Sequence, residues 1–132
     1  YGAAKAGLIG LTRVLAIEGA RNGIHVNAIA PGALTRMTEN ILTDLADKLD
    51  PRLVSSAVVW LAHPDCPASG DLFFVAGGRM AKVFVAQTQG WFDPDLTPES
   101  LRDHWDAVND MEGFATPADV AEELQLLLRH FQ

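Results

Sequence analysis

The sequence opens on Tyr1-Gly-Ala-Ala-Lys5, a tyrosine and a lysine four residues apart. In a helix, positions i and i+4 lie on one face, a turn apart. A lysine ammonium placed there stabilises the phenolate of its neighbour. A free tyrosine has a pKa of about 10, and a nearby cation lowers it. The hydroxyl then becomes a usable general acid–base near neutral pH. Such a group suits a reaction that moves a proton on or off an alcohol oxygen while hydride moves at the carbon. Tyrosine and lysine at this spacing also occur in helices as a surface pair or with a packed tyrosine. The surrounding elements decide between these readings.

Residues 1–20 read as a helix, with Ala4, Leu8, Leu11 and Leu15 on one stripe and Ile9, Val14 and Ile17 on other sides. A helix this apolar around its circumference is expected to be buried on several faces. No Ser, Thr, Asp or Asn caps its start, and Asn22-Gly23 offers a left-handed stop. Ile24 to Ala30 reads as a strand that Pro31-Gly32 ends. A loop and a moderately amphipathic helix fill 33–50. Asp50-Pro51 starts a further helix to about Ala62, with Asp as N-cap and Pro at the first position. Leu72 to Ala76 suits a strand buried on both faces. Gly77-Gly78 turns the chain into a strand over 82–88, and two helices follow, one from Thr97-Pro98 to about Met111 and one from Thr116-Pro117. The order helix, short turn, strand is half of a βαβ unit.

Composition sets outer limits. The 132 residues suffice for one domain, and 48% hydrophobic content suits a globular chain. A net charge of -7 and a pI near 4.8 argue against nucleic acid. No apolar run approaches the roughly 20 residues that span a bilayer, and no signal peptide is visible. Cys66 is the single cysteine, so no internal disulfide forms, which fits a reducing compartment.

From Tyr1 to Thr38 the sequence resembles the short-chain dehydrogenase/reductase family. The residues that carry the likeness are Y-G-A-A-K-A-G-L-I-G-L-T-R, A-I-E-G-A-R-N-G-I-H-V-N-A-I-A-P-G and A-L-T-R-M-T. The resemblance implies an α/β fold: the C-terminal portion of a doubly wound, Rossmann-type parallel sheet, with a helical C-terminal extension. It implies one domain over 1–132, with core helices and the last parallel strands in 1–78 and an extra strand and helical tail in 79–132. It implies that Tyr1 is the catalytic acid/base and that Lys5 tunes it and holds the nicotinamide ribose. Asn27 matches a structural asparagine. Pro31-Gly32 matches the turn beside the nicotinamide, the Leu34 backbone faces the carboxamide, and Thr35 hydrogen-bonds the cofactor, NAD or NADP. The stretch F-F-V-A-G-G-R-M-A-K-V-F-V-A-Q-T-Q-G-W, followed by L-T-P-E-S-L-R-D-H-W, resembles the (3R)-hydroxyacyl-CoA dehydrogenase branch. That branch implies an acyl-CoA substrate. The family implies a homo-oligomer in the cytoplasm, or in the peroxisome of a eukaryote.

The family's G-x-x-x-G-x-G phosphate loop does not occur in these residues, and Gly77-Gly78 opens a strand instead of a helix. The family's catalytic serine and asparagine precede its tyrosine. The sequence therefore reads as a piece of a longer enzyme, or as a non-catalytic truncated product that self-associates and lacks useful NAD(P) affinity. His25, His63, His104, His130 and Cys66 show no metal-ligand spacing, so no metal is expected. Trp60 is expected in the core and Trp91 and Trp105 in tail packing. Arg36, Arg79 and Lys82 read either as solvated charges or as contacts for CoA phosphates. Met37 and the apolar positions of 38–49 fall where the family places its substrate loop.

Overall fold

The computed structural model describes residues 1–35 and 47–131. Arg36, Met37 and positions 38–46, among them most of the expected substrate loop, lie outside the described residues. The chain divides into two units, Tyr1–Val83 and Phe84–Gln132.

In the first unit, helix α1 spans Gly2–Gly19 and runs into a single 3₁₀ turn, Ala20–Asn22. Gly23 closes it with φ at 67°, its N–H bonded to the Ala20 carbonyl. The face that packs is not the leucine stripe. The buried residues of α1 are Thr12, Ala16 and Gly19, at i, i+4 and i+7. These are small side chains that admit close approach. A Cβ on Gly19 would lie 2.9 Å from the Ile24 Cβ, and one on Gly70 would lie 3.4 Å from the Ala16 Cβ. Leu8, Leu11 and Leu15 point outward, with Leu11 52% exposed. An apolar helix of this kind is expected to bury several faces, and without the family's preceding elements to leave one or more of them unpacked; here the leucine face is exposed.

Strand β1 is Ala28–Gly32, displaced from the expected 24–30 and including Pro31-Gly32. At the entrance, the Val26 N–H is taken by the Ser69 hydroxyl instead of by a backbone carbonyl, so the regular ladder begins two residues later. Ala28 donates to the Asp71 carbonyl. Alternation then turns Ile29 and Pro31 away from the neighbouring strand, where a proline sacrifices no ladder bond. The Asn27 amide clamps the entrance. It donates to the Ala68 carbonyl at 2.8 Å and accepts from the Asp71 N–H at 3.3 Å.

Helix α2, Pro51–Leu61, starts where the sequence places it. The Asp50 carboxylate accepts from the Arg52 N–H at 2.8 Å and from its guanidinium at 2.6 and 2.9 Å. The guanidinium bond, then the backbone bond, holds the Asp50 carboxyl below the ordinary carboxylate range. The sign follows. This cap is fully formed above the unfolded carboxyl's pKa of about 4 and is lost as pH falls through the lower folded value. Trp60 is not core. It is 49% exposed and stacks on His63 with ring centroids 5.9 Å apart.

Strands β2, Leu72–Ala76, and β3, Arg79–Val83, complete a three-stranded sheet in the order β1-β2-β3. The first pair is parallel and the second antiparallel, so α/β architecture stands with a mixed sheet. Val75 is 2% exposed, but Phe74 on the other face is 38% exposed. The apolar run is buried on one face at that point, not on both. Gly77 and Gly78 have φ of 55° and 81°, the left-handed values of a two-residue hairpin turn. The return strand therefore begins at Arg79, opposite Ala76, instead of at Lys82. An Asp71–Lys82 ion pair, 2.7 Å, ties β3 back to the start of β2.

In the second unit, α3 is Pro98–Asp103 and α4 is Trp105–Asn109. One helix over 98–111 was expected. His104 breaks it, with φ -116° and ψ 22°. Its ring stacks on Trp91 at 3.7 Å, and its Nδ1 lies 2.9 Å from the Ser100 carbonyl. Thr97 caps α3 through the Ser100 N–H. The Ser100 hydroxyl donates to Asp93 at 2.6 Å, and this bond is the main cause of the lowered Asp93 pKa. Helix α5, Val120–Leu128, begins at Asp119 and not at Thr116-Pro117. The Asp119 carboxylate accepts from both the Ala121 and Glu122 N–H groups, and Glu122 reaches back to the Ala118 N–H. This reciprocal cap satisfies several of the amides that a helix start leaves unpaired. Gln87 and Ala115 form an isolated antiparallel bridge.

Candidate active site

Tyr1 stands at the N-cap of α1, and its carbonyl accepts the Lys5 N–H at 3.1 Å. That bond fixes the first turn and sets both side chains on one side of the helix. The Lys5 Nζ lies over the tyrosine ring, 5.4 Å from its centroid, within the range of a cation–π contact. Tyr1 is 91% exposed.

The remaining sequence-derived residues sit where β1 leaves the sheet. Pro31 and Gly32 pair with Val75 and Ala76. Gly32 is required there, because a Cβ would lie 2.9 Å from the Ala76 Cβ. The Leu34 N–H donates to the Leu49 carbonyl at 2.8 Å. Thr35 follows and is exposed. Ala16 and Gly19, near the carboxyl end of α1, pack at the entrance to the strands. Tyr1 and Lys5 are at the far end of that helix, and Pro31-Gly32 are at the far end of β1. Among the described residues no hydrogen bond joins the two groups directly. The role of Leu49 had no signal in the sequence, since a carbonyl acceptor carries no residue-type signature.

Lys5, Leu34 and Thr35 carry an ammonium, a backbone carbonyl and a hydroxyl, the group types that the family resemblance assigns to a nicotinamide nucleotide. No group of His, Cys, Asp and Glu suited to a metal occurs among the described residues.

The described residues of the first unit combine an α/β sheet with a parallel pair, a proline-glycine exit from β1 and a Tyr–Lys helical turn. Residues 1–78 match the family model described as enoyl-(acyl carrier protein) reductase. The chain is 41% identical over 127 residues to peroxisomal multifunctional enzyme type 2 of Mus musculus, covering 92% of this chain and 17% of that protein. It is 38% identical over 115 residues to a putative short-chain type dehydrogenase/reductase of Mycobacterium tuberculosis, covering 86% and 40% respectively. The solved structure of full-length peroxisomal multifunctional enzyme type 2 from Drosophila melanogaster superposes with a TM-score of 0.80 at 35% identity, covering 98% of this chain and 24% of that one. The chain belongs to the short-chain dehydrogenase/reductase family. It spans 17 to 40% of the length of these relatives.

Proposed function

We propose that this chain carries the proton-transfer residues of an NAD(P)-dependent oxidoreductase that interconverts a secondary alcohol and a ketone, with a 3-hydroxyacyl-CoA as substrate. The observation that carries this reading is the Lys5 ammonium over the Tyr1 ring on one helical turn. The likeness of residues 73–91 and 96–105 to the hydroxyacyl-CoA branch supports the substrate class. The multifunctional relatives named peroxisomal support a peroxisomal setting.

In oxidation, the Tyr1 Oη takes the proton from the substrate hydroxyl as the C–O bond becomes a carbonyl. In reduction it returns that proton to the carbonyl oxygen. Lys5 supports the negative charge on Tyr1 between these events and offers its ammonium hydrogens to the ribose hydroxyls. The Leu34 carbonyl and Thr35 orient the carboxamide side. NAD or NADP, when bound, would accept the hydride in oxidation, and its reduced form would supply it in reduction. The test is reduction of NAD or NADP by the natural full-length protein with a 3-hydroxyacyl-CoA, followed by absorbance. Turnover is expected, and no reduction of either nucleotide overturns the reading.

A second reading, self-association, is favoured by the outward apolar side chains of α1, Leu8, Leu11, Val14, Leu15 and Ile17. Exposed apolar surface on this scale marks a face that packs on other protein. Sedimentation equilibrium of the 132-residue chain is expected to give a mass that is a multiple of 14.2 kDa. A monomer at all concentrations rejects self-association through this helix.

A further inference from the structure

Three cations came into question for the phosphates of a coenzyme A thioester: Arg36, Arg79 and Lys82. Tertiary structure separates them. The Lys82 Nζ is 2.7 Å from an Asp71 carboxylate oxygen, so its charge is already matched. Arg36 lies outside the described residues. Arg79 is exposed and has no ion-pair partner among the described residues.

The place of Arg79 follows from strand register. Gly32 pairs with Ala76, and Ala76 pairs with Arg79, so the three form one row across the sheet. Neighbouring strands are about 4.8 Å apart, which puts the Arg79 Cα roughly 10 Å from the Gly32 Cα. Cross-strand partners share a face. The Arg79 side chain therefore leaves the sheet on the face toward which Gly32 would carry a Cβ. That row closes the carboxyl end of the parallel pair, where open α/β sheets receive their ligands.

A second cation borders the same turn. A Cβ on Gly77 would lie 3.3 Å from the Lys48 carbonyl oxygen, which places Lys48 beside the Gly77-Gly78 hairpin. Lys48 is exposed and also lacks an ion-pair partner among the described residues. Of the nearby acids, Asp50 is held by Arg52 and Asp47 is exposed. Charge is also segregated along the chain. Residues 1–83 hold eight Lys and Arg against seven Asp and Glu, whereas residues 84–132 hold two against ten. The second unit repels an anionic head group, so the cations that attract one belong to the first.

We propose that Arg79, assisted by Lys48, recognises the phosphates of a coenzyme A thioester at the carboxyl end of β1 and β2. This rests on the acyl-thioester reading above. A guanidinium forms paired, charge-assisted bonds to phosphate oxygens, and fixing the phosphates anchors the thioester at the end of the sheet that carries Pro31-Gly32.

Two measurements on the natural full-length protein test it: calorimetric titration with free coenzyme A, and turnover of 3-hydroxyacyl thioesters of coenzyme A and of N-acetylcysteamine, which lacks every phosphate. Arg79→Ala is expected to weaken coenzyme A binding about tenfold or more. The preference for the coenzyme A thioester, as a ratio of kcat/KM values, should fall by a similar factor. Arg79→Lys should recover part of the loss, and added salt should weaken wild-type binding. Wild-type turnover of both thioesters with an unchanged preference in Arg79→Ala overturns the role of Arg79 and leaves the oxidoreductase reading standing. Wild-type protein that turns over neither thioester overturns that reading. Coenzyme A binding that is absent, or insensitive to Arg79→Ala, overturns the phosphate site whatever the turnover.

Discussion

Tyr1→Phe in the natural full-length protein is expected to lower kcat by about 10²–10⁴-fold, the range that positioned general acids and bases supply. The substitution removes one hydroxyl and keeps the ring under the Lys5 ammonium. Cofactor affinity, read from nucleotide fluorescence, should stay close to wild type, since the nucleotide contacts are assigned to Lys5, Leu34 and Thr35. Retention of activity within about tenfold removes Tyr1 from the mechanism.

Lys5→Met should lower kcat by on the order of a hundredfold, because the charge that supports the phenolate is gone. Methionine keeps helix propensity and a similar length, so α1 should persist by circular dichroism. Unlike Tyr1→Phe, this change should also weaken the nucleotide, since the ammonium serves the ribose hydroxyls as well. The double variant separates a working pair from two independent residues. If Lys5 acts through Tyr1, turnover in the double variant falls little below that of Tyr1→Phe alone, as members of one catalytic unit are grossly non-additive. Multiplied losses would show that Lys5 acts elsewhere.

The parts legible in the sequence were those set by local chemistry. The Asp50-Pro51 start of α2 was readable because an N-cap carboxylate and a proline at the first position satisfy the helix end using adjacent residues alone. The Gly23 stop of α1 and the Gly77-Gly78 turn were readable for the same reason, as left-handed backbone is written in residue type. The Tyr1–Lys5 face follows from helical period alone. Thr97 as the cap of α3 was visible too, but the break at His104 was not. That break comes with a ring stack on Trp91, thirteen residues earlier, and a hydrogen bond to Ser100.

The sequence by itself determined which residues could exchange a proton, where helices start and where the chain must turn. Tertiary structure alone decided which face of α1 packs, where β1 begins, and which cation stands beside the glycine exit. Helical and strand periods place side chains relative to their own backbone, so they count leucines but cannot say that Gly70 and Ile24 leave room only for Ala16 and Gly19. Register between strands is a contact between distant residues. The row Gly32–Ala76–Arg79 therefore exists only once the sheet has formed.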